Sequence, residues 1–283
     1  MNILRTTPSF YPHVTGPAYQ AYRISADLED RGHTSPIVTT DVIPDNNPGY
    51  PPEIEGTEFP FDVVRYKPLF SVDQYWVAPG VLKDAFQRDY DIVHALKDVM
   101  YPIAQGIRKK PLVVHVHGSF GEASSDPTLN RTFQYRLYDA VFKRVIMNAA
   151  AVVVRTEQER SEAEEFGISG DKIRVIPVGK DPETYTAIPR TPPDDRVRVL
   201  FVGRLAPRRN VEMLIEAVSV LDRSDVELRI VGGEGKLSGA EKSNYVEQLR
   251  EKVRHLGVEE RVTFTGALYG DDLIQEFRSA HIF

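Results

Sequence analysis

Val199-Leu200-Phe201-Val202-Gly203-Arg204-Leu205-Ala206-Pro207-Arg208-Arg209-Asn210-Val211 is the stretch that decides the fold. Its opening apolar run has no polar alternation, as in a strand buried on both faces. Gly203 ends the run, and Glu212-Met213-Leu214-Ile215-Glu216-Ala217 continues as a helix. Strand, tight turn and helix make the repeating unit of an open parallel sheet, whose ligands gather at the carboxyl ends of the strands. Three arginines, Arg204, Arg208 and Arg209, fall within the six residues after Gly203. Guanidinium forks match phosphate oxygens and keep their charge, and a helix N-terminus adds partial positive charge. The turn from Gly203 to Arg209, with its three arginines, is therefore a candidate for binding a diphosphate. The plainer alternative is a solvated basic turn.

The same alternation extends in both directions. Strands are expected near Asn2–Thr7, Ser35–Thr40, Phe61–Lys67, Asp91–Ala95, Leu112–His117, Ala151–Arg155 and Arg174–Pro177. Helices are expected near Pro17–Arg31, Val81–Arg88, Tyr101–Lys109, Asn130–Asn148 and Glu157–Phe166. Asp181–Val197 interrupts them with four prolines in 17 residues and no apolar period, which reads as a linker. Beyond it come strands Arg198–Val202, Glu227–Val231 and Val262–Thr265, with helices Val211–Leu221, Asn244–Leu256 and Asp271–Ser279. The expected fold is α/β with two Rossmann-like domains: residues 1–180, a linker at 181–197, and residues 198–283. The final apolar run, Ala280–Phe283, opens a strand on the last residues, so the second domain reads as incomplete. Two such domains place a cleft between the carboxyl ends of two sheets.

Composition excludes several classes. A length of 283 residues favours two domains, and a net charge of −6 gives no basic field for nucleic acid. With no cysteine there are no disulfides or thiolate metal sites. The N-terminus lacks a signal-peptide layout, and no apolar run reaches the ~20 residues that span a bilayer. A cytoplasmic protein is the expectation, with peripheral contact at the cytoplasmic face of a membrane left open.

Further candidates lie at other strand ends. Gly16-Pro17 opens a helix whose free N–H groups suit an anion, although Pro17 is also ordinary first-turn capping. In Val113-Val114-His115-Val116-His117-Gly118-Ser119, alternation puts His115 and His117 on one face. His117, at the carboxyl end, is the candidate to exchange a hydrogen bond with a substrate hydroxyl. His115 reads as a structural histidine satisfied by backbone carbonyls. Gly232 and Gly233, after Ile230-Val231, would let a nucleotide approach the backbone. They are not part of a dinucleotide fingerprint, because Gly239 falls one residue too late after Gly233-Glu234-Gly235. Asp89-Tyr90-Asp91 matches the Asp-x-Asp pattern of metal-dependent sugar transferases. It precedes a strand at the wrong end and reads as a solvated turn. The acidic run Glu157–Glu165 reads as an exposed helix face.

In order, Phe10–Gly16, Val114–Gly118, Val175-Ile176-Pro177-Val178-Gly179-Lys180-Asp181, Phe201–Val211 and Val262-Thr263-Phe264-Thr265-Gly266 resemble the family 4 glycosyltransferases across essentially the whole chain. The resemblance implies the GT-B fold and retaining transfer of a sugar from a nucleotide-diphosphate donor to an acceptor hydroxyl. It implies no cofactor and no metal. The acceptor would be a glycan, a lipid-linked molecule or a small molecule. By position, Arg204 and Arg209 correspond to the family's basic pair on the donor diphosphate, with Arg209 where lysine is commoner. His117 corresponds to the histidine near the transferred sugar, and Gly16 to the first of a glycine pair facing donor and acceptor. Pro17 replaces the second glycine, and Asn210 replaces a usual glycine. The family's Glu-x7-Glu segment and its C-terminal crossing helix would come after Phe283. This chain is accordingly expected to be an inactive fragment, with an apolar edge at Arg198–Val202 that favours self-association. The competing readings are a nucleotide-sugar-binding module without turnover, or another GT-B enzyme such as a sugar-nucleotide epimerase or a phosphorylase.

Overall fold

Continuous apolar runs become central strands because helices cover both faces of their sheet. The computed structural model describes residues 1–12, 16–41, 58–72, 75–96, 110–117, 142–179, 189–221, 223–233 and 244–283. The chain divides into two units, with the break between Gly179 and Lys180. In chain order the first holds β1 (Ile3–Thr6), α1 (Gly16–Asp30), β2 (Ile37–Thr40), β3 (Val63–Tyr66), β4 (Phe70–Val72), β5 (Tyr75–Val77), α2 (Pro79–Gln87), β6 (Ile92–Leu96), β7 (Leu112–His115), β8 (Ala151–Val154), α3 (Glu157–Glu165) and β9 (Ile173–Val175). Residues 142–147 are also helical. The expected helix Tyr101–Lys109, most of Asn130–Asn148, Gly118-Ser119 and linker residues 181–188 lie outside the described residues.

The first sheet has seven strands in the order β3-β2-β1-β6-β7-β8-β9. Every neighbouring pair is parallel, and all seven strands were expected from the sequence. Leu4, Val93, Ala95, Val114, Val152 and Val154 carry its core. The antiparallel pair β4–β5 was not foreseen, because three-residue strands are too short to show a period. Asp89 and Asp91 are exposed, as expected of a solvated turn, but the turn also holds β1. Tyr90 is buried, Asp91 Oδ2 accepts from the Asn2 amide at 2.8 Å, and the Asp89 carbonyl accepts from Asn2 Nδ2 at 2.7 Å, clamping the start of β1. The acidic helix α3 exposes Glu157, Glu164 and Glu165 as expected and departs from that reading at Glu159. Thr156 caps it by accepting from the Glu159 amide at 3.1 Å. Glu159 is buried and takes the Arg155 amide and guanidinium.

The second unit holds β10 (Val197–Val202), a 3₁₀ turn (Pro207–Arg209), α4 (Val211–Val220), β11 (Val226–Val231), α5 (Tyr245–His255), β12 (Val262–Gly266) and α6 (Gly270–Ser279). Its strands are parallel in the order β10-β11-β12. Strand alternation splits its core in two. Leu228 and Ile230 pack with Ile215, Val218, Leu249 and Val253, whereas Leu200 and Val231 pack with Ala280, Leu273 and Phe277. The β10 edge is less bare than expected. Ile282 bridges Val199 in parallel, and its carbonyl accepts from the Leu200 amide at 2.9 Å. The end of the linker is strapped to this unit by Thr191 N donating to Arg278 O at 2.9 Å and Arg190 donating to His281 O at 2.7 Å.

A bidentate ion pair fastens α6 across β11. Arg229 Nε donates to Glu276 Oε2 at 2.6 Å and its Nη2 to Oε1, with Glu276 buried. Truncating one partner strands the other charge in a half-dry site. Glu276→Ala is expected to lower stability by about 1–3 kcal/mol, while Arg229→Met combined with Glu276→Leu regains most of the loss. Urea unfolding of the single and double variants measures this. A single variant indistinguishable from the parent would show that the pair does not anchor α6.

Candidate functional site

At the carboxyl edge of the second sheet the strand ends are fastened backbone to backbone. Gly203 N donates to Val231 O at 2.9 Å, Leu205 N to Gly233 O at 3.0 Å and Gly232 N to Gly266 O at 2.8 Å. This brings Gly203, Gly232 and Gly233 together. A β-carbon on Gly232 would sit 1.8 Å from the Gly203 carbonyl oxygen, and its φ of +155° also favours glycine. Gly232 is thus required for packing two loops against each other, which corrects the expectation that it makes room for a nucleotide. Among the described residues a β-carbon at Gly233 would meet only Ala267, at 3.9 Å. Residues 234–240, which follow it, lie outside the described residues.

After Gly203 the chain passes Arg204, makes the 3₁₀ turn and enters α4 through Asn210, whose φ is +51° and ψ +44°. That is a left-handed conformation, which asparagine tolerates better than most residues with a β-carbon. It explains why glycine is usual there in the family and why asparagine can replace it. Asn210, the N-cap residue of α4, makes no side-chain cap; the Tyr245 hydroxyl accepts from the Val211 amide and donates to Glu212 Oε2, and the helix end contributes its partial positive charge. Arg204 and Arg209 are exposed here. Elsewhere in this unit Arg196, Arg198, Arg223, Arg229 and Arg254 each meet a carboxylate. Arg190 and Arg261 meet backbone carbonyls. Among the described residues no carboxylate pairs with Arg209.

In the first unit His117 follows the end of β7, half-buried, with its ring stacked on His115 at 4.5 Å and 19°. His115 in turn lies parallel to His94 of β6 at 5.6 Å and 3°. His94 Nδ1 accepts from Arg5 Nη1 of β1 at 2.6 Å, which fixes its proton on Nε2. The backbone carbonyls expected to satisfy His115 do not do so: neither ring nitrogen has a hydrogen-bond partner among the described residues. Burial, with Arg5 second, holds His94 well below the ordinary histidine value. Burial, then Arg5 and Arg155, lowers His115 to about 4 against the opposing pull of Glu159. Gly16 is the exposed first residue of α1, and among the described residues a β-carbon there would meet nothing within 4 Å. Its neighbours 13–15 lie outside the described residues. Among the described residues no group of three or more His, Asp or Glu side chains could hold a metal.

The neutral imidazoles make stability depend on pH. The unfolded chain takes up protons on these histidines below about 6.5, and the folded chain does not, so stability falls as pH drops through that value. The share due to His115 is complete near its folded value of about 4. Between pH 7 and 5 that share is about 2 kcal/mol. Urea unfolding at the two pH values should show the loss, and His115→Asn should flatten it. An equal loss in the variant would refute a buried neutral His115.

Residues 15–179 match the family model described as glycosyl transferase 4-like domain, and residues 187–283 match glycosyl transferases group 1. The mannosylfructose-phosphate synthase of Agrobacterium fabrum is 27% identical over 232 residues, covering 76% of this chain and 47% of that protein. The D-inositol 3-phosphate glycosyltransferase of Corynebacterium aurimucosum is 28% identical over 220 residues, covering 70% and 50%. The chain thus spans about half the length of these relatives. The crystal structure of Anabaena HepE in complex with UDP superposes with a TM-score of 0.70 at 21% identity, covering 98% of this chain and 71% of that one. The first family model alone takes in more than half of the 283 residues and the second runs to Phe283, so the chain belongs to the family 4 glycosyltransferases, and its two α/β units are Rossmann-like domains of the GT-B kind.

Proposed function

We propose that the protein transfers a sugar from a nucleoside-diphosphate donor to an acceptor hydroxyl. Arg204, Arg209 and the N-terminus of α4 hold the diphosphate, and His117 acts at the transferred sugar. The observation that carries this reading is Arg209. It is an exposed guanidinium without a carboxylate partner among the described residues, on a turn held in place by glycine contacts, in a unit where most other arginines are engaged. When the bond between the anomeric carbon and the phosphate oxygen breaks, its electron pair stays on the diphosphate. Fixed cations and backbone amides stabilise that charge as it develops. They supply what a divalent metal supplies in other transferases, so neither a metal nor a cofactor is part of the proposal. The anomeric carbon becomes cationic in the same step. A neutral imidazole at His117 can bond a sugar or acceptor hydroxyl without adding a positive charge beside it. UDP, the nucleotide in the Anabaena HepE complex, is the first to try. Glycan, lipid-linked and small hydroxylated acceptors all fit the proposal.

Calorimetry tests the diphosphate site. Arg204→Ala and Arg209→Ala should each weaken UDP at least tenfold, about 1.4 kcal/mol or more of charge-assisted bonding, and added salt should narrow the difference. Unchanged affinity in both would remove the site from the basic turn. In a preparation that turns over, His117→Ala should lower turnover about tenfold or more while leaving UDP affinity within about twofold. Full turnover in that variant would return His117 to a structural role.

A further inference from the structure

Arg5 has an unusual environment. It lies on β1 with no exposed surface, among the largest fully buried side chains of the protein. Its Nε donates to Ser25 Oγ of α1 at 3.0 Å, Ser25 Oγ also takes the Ser35 hydroxyl at 3.1 Å, and Nη1 donates to His94. Its Nη2 has no hydrogen-bond partner, and no carboxylate meets it among the described residues. A buried charge without a counter-ion is costly, so proteins seldom keep one without a use for it. Burial lowers this guanidinium to about 9, which still leaves it charged at neutral pH.

Strand register determines what that charge faces. Arg5 pairs with His94, and Leu96 pairs with His115, in the parallel ladders β1–β6 and β6–β7. The period of two then puts Arg5, His94, His115 and His117 on one face of the sheet, in a row that climbs toward its carboxyl edge. The rings touch in sequence, Arg5 to His94 by a hydrogen bond and His94 to His115 to His117 by stacking. The other charges acting on His115 are Arg155, which follows β8, and Glu159 of α3, which pair with each other. At the far end of the row α1 offers Arg5 the uncharged Ser25 hydroxyl.

We propose that Arg5 is a positioning residue which, through His94 and His115, keeps the His117 ring uncharged and fixed at the carboxyl edge of the first sheet. A proton on any ring of the stack would add a second positive charge in dry surroundings already holding an unpaired guanidinium. The inference rests on His117 acting at the sugar, because a neutral ring is what the cationic anomeric carbon requires of a neighbour. Arg5 itself touches neither donor nor acceptor in this account.

Histidine ring NMR of the full chain tests it, with the His117 signal assigned by comparison with His117→Asn. In the parent protein His117 should titrate about one pH unit or more below the ordinary value near 6.5. Arg5→Met should raise that midpoint by about half a unit or more, and Arg5→Lys, which restores a cation, should return it most of the way. A parent midpoint at or above 6.5 overturns the proposal even if Arg5→Met fails to fold. An unshifted midpoint in a folded Arg5→Met overturns it as well. The titration reads the ring whether or not sugar is transferred, so it stands apart from the turnover of His117→Ala.

Discussion

The carbonyl of Gly203 occupies the place a β-carbon of Gly232 would need, 1.8 Å from it. That contact requires a glycine at the end of β11, beside the end of the adjacent parallel strand, and the basic turn depends on it. With the loop after β10 held against the loop after β11 by the bonds from Gly203 to Val231 and from Leu205 to Gly233, the chain must turn sharply into α4. The turn requires the left-handed Asn210. The outcome is a helix N-terminus beside Arg204 and Arg209 whose N-cap residue, Asn210, makes no side-chain cap. The cations are therefore placed by backbone packing, which leaves Arg209 available to an anion.

The first sheet reaches its carboxyl edge by different means. There a polar row runs across the sheet, from Arg5 through His94 and His115 to His117. Its members lean on one another and on Ser25, with Arg5 Nη2, His94 Nε2 and both nitrogens of His115 unpartnered among the described residues. Such a row reduces stability under acid and gives nothing to packing that apolar side chains would not give. Its retention makes sense if His117 needs the company. Carboxylates elsewhere in the first unit are used structurally, with Glu159 holding Arg155 and Asp84 holding Arg88 and Tyr66.

Much of this was legible from the residues. Continuous apolar runs such as Leu112-Val113-Val114 and Ala151-Val152-Val153-Val154 announced strands buried on both faces, and the other strands of the parallel sheets were legible as shorter β-rich runs between helical ones. Gly203 with its arginines, and His117 at a strand end, were visible because cations and imidazoles are out of place on an apolar strand unless something meets them. What stayed hidden was whatever depends on a distant partner. Nothing local marks Arg5, because the ring it bonds is 89 residues away. Nothing local marks Glu276 as buried either, because its partner Arg229 lies 47 residues earlier. Gly232 suggests room for a ligand because nothing local reveals that another backbone fills the space. The Thr156-x-x-Glu159 spacing was the one signal that could have found a buried carboxylate, since it is the pattern of a capped helix start.

The central claim is that an anion completes the basic turn at the carboxyl edge of the second sheet. A crystal structure of the chain grown with UDP tests it most directly. The account predicts diphosphate oxygens within hydrogen-bond distance of the Arg209 guanidinium and of the first amides of α4, with the Gly203–Gly232 contact unchanged. A diphosphate seated elsewhere, with Arg209 still free in solvent, would contradict it.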